Sequence, residues 1–167
     1  ELTKLNIAVE VISSYQVTRE WREYERTSST VLSAYVLPLA KKYLNNLESK
    51  LKLQGLKQAP YIMQSNGGIT TINDVKSNPI TMVESGPASG VFGAIALGKV
   101  LGKNDLIVLD IGGTTAKCAL VENGQVKITT NYKIEHSRTA AGYPIQTPVI
   151  DIVEIGNGGG SIAWIDK

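Results

Sequence analysis

The segment 105–121 constrains the fold more than any other part of the chain, because it is typical of two strands joined by a tight bend. Residues 105–111 (DLIVLDI) form a near-continuous apolar run, which predicts a strand covered on both faces. Residues 116–121 predict a second strand, and Gly112 and Gly113 permit a sharp turn between the two. The segment therefore predicts the centre of a sheet.

The flanking sequence predicts helices before this sheet and further strands after it. A helix is expected from about Thr30 to Gly55, and a second one from near Ser85 to Gly102. The apolar face of the first helix is expected to consist of Leu32, Val36, Leu39, Tyr43, Leu47 and Leu51. Further strands are expected at 7–17, 61–64, 80–83, 126–134, 145–155 and 161–165. This order of elements predicts an α/β domain with a mixed sheet.

Composition narrows the class of protein. The 167 residues carry a formal net charge of only +2, which gives no reason to expect a nucleic-acid partner. The single cysteine, Cys118, rules out an internal disulfide and suits a reducing cytoplasm. No apolar run is long enough to predict a membrane span. Because the first residue is Glu1 and not Met, we expect the chain to be a portion of a longer protein.

The turn after the first central strand predicts a phosphate site. Backbone N–H groups at Gly112 and Gly113 can form a nest of donors, and the hydroxyls of Thr114 and Thr115 can add hydrogen bonds. Asp110, at the end of the strand, can hold Mg²⁺ directly or through water. The alternative is an ordinary hairpin in which the glycines only make the bend.

A second glycine cluster lies near the end of the sequence. Gly158, Gly159 and Gly160 cost chain entropy, which indicates that something approaches this loop closely. That partner could be the ribose and base of a nucleotide, or another stretch of backbone. The alternative is a flexible linker, which the nearby Trp164 disfavours.

Two further positions are weaker candidates for ligand contacts. Ser85 and Gly86 open a predicted helix, where free N–H groups and the helix dipole favour an anion. Asn66 follows a predicted strand and could present its amide to a ligand. Routine helix capping and an Asx-turn are the structural alternatives.

The remaining chemically capable side chains are better explained without catalysis. His136 is the only histidine and lies in a polar segment, so a surface position is expected. Cys118 lies in an apolar strand and is expected to be packed. Glu84, Asp151 and Glu154 could face a metal or substrate, but each is more simply a surface charge or hydrogen-bond partner.

Four motifs, in order and spacing, resemble hydantoinase A of the hydantoinase/oxoprolinase family. They lie at 62–68 (IMQSNGG), 84–91 (ESGPASGV), 109–115 (LDIGGTT) and 151–164 (DIVEIGNGGGSIAW). The upstream segment 22–28 is also similar to that family, so the resemblance covers nearly the whole chain.

The resemblance implies an actin-like ATPase fold, in which two ribonuclease-H-like halves with mixed sheets and flanking helices enclose a nucleotide. The chain, residues 1–167, would be a central fragment of a larger subunit. Residues 1–104 would form a helical and short-strand part, and residues 105–167 a β-rich phosphate-binding part. The bend at residues 110–114 would be the second of two phosphate turns, and the first, near the family's N-terminus, is not in this sequence.

The resemblance also implies the chemistry. The intact enzyme would use ATP and Mg²⁺ to phosphorylate the carbonyl of a cyclic amide such as hydantoin or oxoproline, and water would then open the ring. It would be a cytoplasmic enzyme with a second subunit, and the fragment alone would be inactive. Asp110 would be the catalytic, metal-side carboxylate. Gly112, Gly113, Thr114 and Thr115 would cradle phosphate, with Gly158, Gly159 and Gly160 near the nucleoside and Ser85, Gly86 and Asn66 bordering the cleft.

Two alternatives are compatible with the same motifs. One is an actin-like regulatory or assembly module that binds nucleotide without chemistry. The other is a subunit of a related ATP-dependent carboxylase. One departure from the family pattern bears on all of these: Ala116 and Lys117 stand where a Thr-Asp pair is common. Lys117 could contact phosphate, or the charge reversal could weaken the site.

Overall fold

The computed structural model describes residues 10–136, 139–157, 160–162, 164 and 165. The chain divides into two compact units, and each is discontinuous in sequence. A unit that we call the helical unit comprises Glu1–Ile62, Ile69–Val83 and Thr130–Pro148. A second, the sheet unit, comprises Met63–Gly68, Glu84–Thr129 and Val149–Lys167.

Residues 10–83 are mainly helical. The helices are α1 (Ser14–Val17), α2 (Glu23–Leu53) and α3 (Ile72–Ser77), followed by a 3₁₀ helix (Pro79–Met82). β1 (Tyr61–Met63) pairs with β2 (Ile69–Thr71) in a two-stranded sheet. In the helical unit β7 (Tyr132–Ile134) pairs antiparallel with β8 (Tyr143–Ile145). The end of α2 at Gly55 is confirmed, because this glycine has a φ of 92° and its N–H donates to the Lys52 carbonyl.

Helix α2 presents a different face to the core than its apolar pattern predicts. Ser29 and Ser33 are fully buried, whereas Leu39 and Tyr43 are 71% and 62% exposed. The Ser29 hydroxyl donates to the Glu25 carbonyl at 2.7 Å and accepts from the Gln146 N–H at 2.8 Å. The small serine side chains allow the backbone next to β8 to approach the helix closely. The predicted apolar face is therefore wrong by a rotation about the helix axis.

Three strand predictions also fail. In the predicted strand at 7–17, residues 14–17 form α1 instead, where the Ser13 N–H donates to the Gln16 side chain and Val17 packs into a core. Residues 80–82 of the predicted strand at 80–83 lie within the 3₁₀ helix instead, since Pro79 fixes a helical φ at its first position. Residues 161, 162, 164 and 165 lie outside any strand.

The sheet unit contains an antiparallel sheet covered by one helix. The helix is α4 (Ser85–Leu101), which ends at Gly102 in a left-handed conformation, as predicted. The sheet has the order β10-β4-β3, with β5 paired to β4. Its strands are β3 (Leu106–Ile111), β4 (Ala116–Glu122), β5 (Gln125–Val126) and β10 (Ile152–Ile155). A separate antiparallel pair joins β6 (Ile128–Thr129) to β9 (Val149–Ile150), so the single strand expected at 126–134 is broken into short pieces.

The core of the sheet unit lies between α4 and one face of this sheet. Its buried members are Ala88, Val91, Ile95, Ala119, Val121 and Ile150. Leu106 and Val108 of β3 pack against this cluster from the sheet side. Gly98 lies so close to the sheet that an added Cβ would sit 2.6 Å from the Lys103 carbonyl oxygen and 2.9 Å from a Leu106 methyl.

The opposite face of the sheet is apolar and exposed in the part of the chain that the structure describes. We call it the bare sheet face. Its exposed members are Ile107, Leu109, Ile111, Leu120, Val153 and Ile155. The prediction that β3 is covered on both faces therefore holds for one face only. Separately, no helix among the described residues is long and apolar enough to cross a membrane.

Candidate functional site

The bend between β3 and β4 is open to solvent. Asp110, Gly112, Gly113 and Thr114 are exposed, and Thr115 is half-buried. The Gly112 N–H donates to the Thr115 carbonyl at 2.9 Å and closes the turn. This donor is therefore already used within the turn, and a phosphate cradle at this bend depends on the donors after Gly112.

Neither the backbone conformation nor packing against described residues explains why glycine stands at the two positions of this bend. Neither Gly112 nor Gly113 has a positive φ, so the backbone does not require glycine. A Cβ added at Gly113 would meet nothing within 4 Å, and one at Gly112 would meet only the Thr115 carbonyl oxygen at 3.7 Å. By contrast, Gly67 has a φ of 81° and packs against the Phe92 ring, where a Cβ would overlap. The glycines of the bend therefore leave space on the outside of the molecule.

Asp110 lies at the end of β3 beside the bend. In the register of the sheet its Cα partner is Lys117 of β4, and both residues point to the α4 side. No group of three or more His, Cys, Asp and Glu side chains that could hold a metal occurs among residues 10–136, 139–157, 160–162, 164 and 165. Asp110 is therefore not part of a ready-made cluster of metal-ligating side chains within these residues.

Lys117 forms the central ion pair of this region. Its Nζ lies 2.5 Å from Glu84 Oε2 and 3.7 Å from Glu154 Oε2. The side chains of Lys117 and Glu84 are only 18% and 14% exposed, whereas Glu154 is 44% exposed. Lys117 is therefore a paired cation held by the start of α4 and by β10.

Glu84 has an unusual backbone conformation. It is the residue before α4 and has φ 57° and ψ 16°, in the left-handed region that a non-glycine residue adopts at a cost of about 1–3 kcal/mol. Its carbonyl accepts the first helical hydrogen bond, from the Ala88 N–H at 3.0 Å. Ser85 is half-buried and Gly86 is exposed, and a Cβ at Gly86 would meet nothing within 4 Å. The conformation of Glu84 thus sets where the exposed start of α4 lies.

A small cavity brings these parts together within the sheet unit. It has a volume of about 20 Å³, enough for one water molecule but not for a substrate. Its walls come from the first turns of α4 and from β3, β4 and β10. They are Pro87, Gly90, Val91, Val108, Asp110, Lys117, Cys118, Ala119 and Ile152. Asp110, Lys117 and the first turns of α4 are therefore neighbours.

Asn66 has a local structural role. Its side-chain oxygen accepts from the Gly68 N–H at 2.8 Å, which makes the Asx-turn that was one of the two sequence interpretations. The preceding Ser65 is buried, and its carbonyl accepts from the Ile150 N–H at 3.0 Å. The turn is thereby fixed to β9 of the same unit.

The remaining candidate residues from the sequence lie partly inside and partly outside the described part of the chain. Gly158 and Gly159 lie outside the described residues. Gly160 is exposed, and an added Cβ would meet nothing within 4 Å. His136 is exposed, as expected, and Asp151 pairs with Lys127 at 2.9 Å.

Sequence reasoning missed the pairing of Lys117 with Glu84. The two residues are far apart in sequence, and only the strand register and the left-handed turn before α4 bring them together. The departure of Lys117 from the family pattern was the one signal for this contact. A charge reversal on a partly covered strand needs a compensating charge nearby, and Glu84 supplies it.

The sheet unit has an antiparallel sheet covered by one helix, which places the protein in the α/β class. Its open glycine bend lies beside a carboxylate and the start of that helix. This edge of the sheet is a candidate phosphate-binding site. Residues 26–167 match the hydantoinase/oxoprolinase family, and the chain belongs to that family.

Similar proteins support this assignment. The chain is 41% identical over 165 residues to the uncharacterized protein MJ0964 of Methanocaldococcus jannaschii, covering 95% of this chain and 24% of that protein. It is 32% identical over 156 residues to the caprolactamase subunit alpha of Pseudomonas jessenii, covering 93% of this chain and 22% of that subunit.

A solved structure has the same fold. A nucleotide-free structure of acetone carboxylase, from work on ATP-dependent acetone carboxylation, superposes with a TM-score of 0.80 at 27% identity. The match covers 99% of this chain and 22% of that one. The chain therefore spans 22–24% of the length of these three relatives.

Proposed function

We propose that this chain forms one side of the ATP site of an enzyme that opens cyclic amides, with the β3–β4 bend holding the terminal phosphates. The observation that carries the proposal is the pair of glycines at 112 and 113. They face open space, and neither backbone strain nor internal packing accounts for them. Close approach of a ligand to the backbone would account for glycine at both positions.

The residues of the bend have the chemistry that a phosphoryl group requires. The backbone N–H of Gly113 and the hydroxyls of Thr114 and Thr115 would donate to phosphate oxygens. Asp110 would hold Mg²⁺ on the phosphate side. Ser85 and Gly86, at the start of α4, would border the nucleotide at a helix end that favours anions. Bound ATP would supply the phosphoryl group that activates the substrate carbonyl.

The reaction would proceed by activation of an amide oxygen. That oxygen attacks the γ-phosphorus as the bond to ADP breaks. One water then adds to the activated carbon as the ring C–N bond opens, and a second water releases phosphate from the resulting acyl phosphate to leave the carboxylate. Catalysis of such a transfer consists mostly of positioning and charge stabilisation. Relatives named caprolactamase and 5-oxoprolinase support a lactam or a related cyclic amide as the substrate class. Because several relatives are named as subunits, we also propose a second subunit for this enzyme.

Asp110→Asn in the full-length natural protein tests this proposal. We expect it to lower ATP-dependent ring opening by about 100-fold or more, because it removes a charge next to the transferring phosphoryl group. The melting temperature should stay near that of the wild type, since Asp110 is exposed.

Asp105→Asn is the matched control for this experiment. Asp105 precedes the same strand at its other end, where its carboxylate accepts from the Asn123 N–H. An asparagine oxygen can accept the same hydrogen bond, so we expect near wild-type activity. Wild-type turnover in Asp110→Asn would contradict the proposed role. ATP-dependent turnover of an acyclic ketone with bicarbonate, and of no cyclic amide, would favour the carboxylase alternative supported by the acetone carboxylase relatives.

A further inference from the structure

We propose that Lys117 is a positioning residue, which holds the start of α4 against the edge of the sheet that carries Asp110. The effect of Lys117 on nucleotide binding rests on the proposed function, but its effect on the start of α4 does not. The residue lies at the position where the sequence departs from the common family pattern. The geometry around its ammonium group indicates what the departure does.

Lys117 is surrounded by carboxylates from three different elements. It lies on the central strand β4, and its Cα partners on the two sides are Asp110 of β3 and Glu154 of β10. Its ammonium group reaches Glu84 at the start of α4 at 2.5 Å and Glu154 at 3.7 Å. One ammonium therefore offsets the mutual repulsion of Glu84 and Glu154, and Asp110 lies next to Lys117 on the adjacent strand.

The pairing with Glu84 explains how its strained backbone persists. A left-handed conformation at a non-glycine residue is stable only where surrounding contacts over-determine it. The nearly buried ion pair to Lys117 is such a contact. Because the Glu84 carbonyl accepts the Ala88 N–H, the same residue also fixes the first turn of α4.

Removal of Lys117 would thus have two effects. Glu84 would lose its ion pair with Lys117 in a poorly solvated setting, where breaking such a pair is costly. Glu84 and Glu154 would also lose the cation between them, and a polyphosphate approaching Asp110 would meet a more negative surface. The first effect loosens the start of α4, and the second weakens nucleotide binding.

Hydrogen exchange of the full-length natural protein without nucleotide tests the first effect. In Lys117→Met we expect amides of residues 85–91 to exchange about tenfold faster or more, because breaking a largely buried pair removes the restraint on the first turn. Lys117→Arg keeps the charge and should restore protection. The control is Lys127→Met, which breaks an ion pair with Asp151 in the same unit whose side chains are 78% and 43% exposed. It should leave residues 85–91 unchanged. Unchanged exchange in Lys117→Met would overturn the inference.

Steady-state kinetics on the same variants tests the second effect. We expect Lys117→Met to raise KM for ATP by about tenfold while kcat falls much less, since charge and position at the binding edge change and Asp110 remains. Glu84→Gln should raise exchange at residues 85–91 in the same way. The double variant should exchange no faster than the faster-exchanging single variant, because the two residues share one interaction. Equal kinetic effects of Lys117→Met and Lys127→Met would overturn the nucleotide part of the inference. A wild type that neither binds nor hydrolyses ATP would refute the proposed function alone, and the exchange result would still decide the role of Lys117 at α4.

Discussion

Short-range contacts lower the pKa values of two carboxylates in the helical unit. Hydrogen bonds from the hydroxyls of Thr71 and Thr70, at 2.7 and 2.9 Å, hold the pKa of Asp74 below its usual range. The Thr71 hydroxyl also accepts from the Asp74 N–H and caps α3. Hydrogen bonds from Lys76 and Lys52 likewise lower the pKa of Glu48, which joins α2 to α3. At this scale, ionisation of a carboxylate and formation of a helix end are linked.

Asp74→Asn should remove a pH-dependent part of the stability. Because folding lowers the pKa of Asp74, its contribution is fully present above the unfolded pKa of about 3.9 and is lost as the pH falls through the lower folded pKa. The difference in unfolding free energy between wild type and Asp74→Asn should therefore be constant above about pH 5 and shrink below about pH 4. Urea denaturation at pH 3–7 measures it, with Asp105→Asn as a control, and a difference that stays constant down to pH 3 would contradict the assignment.

At the scale of elements, α4 shows how one residue type can have opposite roles along a helix. Gly98 is buried, and the Lys103 carbonyl and Leu106 leave no room for a Cβ. Gly93 is exposed and has nothing within 4 Å of the place where its Cβ would be. Both are helical, and glycine in a helix interior costs about 1 kcal/mol relative to alanine. Only at Gly98 does packing offset that cost.

Substitution of alanine should therefore change the unfolding free energy in opposite directions at the two positions. Gly98→Ala should destabilise the protein by about 1–3 kcal/mol, because the backbone of residue 103 must move. Gly93→Ala should stabilise it by up to about 1 kcal/mol through helix propensity. Chemical denaturation of both variants measures this. Destabilisation by Gly93→Ala in the full-length natural protein, but not in this chain, would show that another segment packs against this face of α4.

Elements with local end signals could be predicted from the sequence. Gly55 and Gly102 have positive φ angles, and each marks the end of a helix where the sequence predicts one. The buried face of α2 could not be predicted in this way. It depends on Ser29 and Ser33, which are polar and so do not contribute to an apolar pattern, although they are buried by contacts with distant residues.

The candidate site likewise has a part that the sequence predicts and a part that it does not. The open bend after β3 was predicted because glycines and hydroxyls recur in a short segment, and the structure places Asp110 beside it on the surface. The pairing of Lys117 with Glu84 could not be predicted, because strand register and the left-handed residue before α4 are not encoded locally. Cross-strand neighbours become visible only when the sheet is assembled.

At the scale of the whole molecule, the bare sheet face is the main feature that this chain leaves without a partner among its described residues. The apolar run of β3 is typical of a strand covered on both sides, and α4 covers one of them. Contiguous aliphatic surface of this kind is uncommon on soluble monomers and marks contact sites. Because the chain spans 22–24% of the length of its relatives, we expect the partner to be another part of a longer polypeptide.

Two lysine substitutions on adjacent residues of β3 test this expectation. Val108 packs against the core beneath α4, so Val108→Lys should destabilise the 167-residue chain by several kcal/mol, because it buries an ammonium group. Ile107 is 75% exposed on the bare sheet face, so Ile107→Lys should change the stability of this chain by less than about 0.5 kcal/mol. In the full-length natural protein we expect both substitutions to lower the melting temperature, because there the ammonium at 107 would also be buried. If Ile107→Lys has as little effect in the full-length protein as in this chain, this face is solvent-exposed in the natural protein, and the apolar pattern of β3 has another cause.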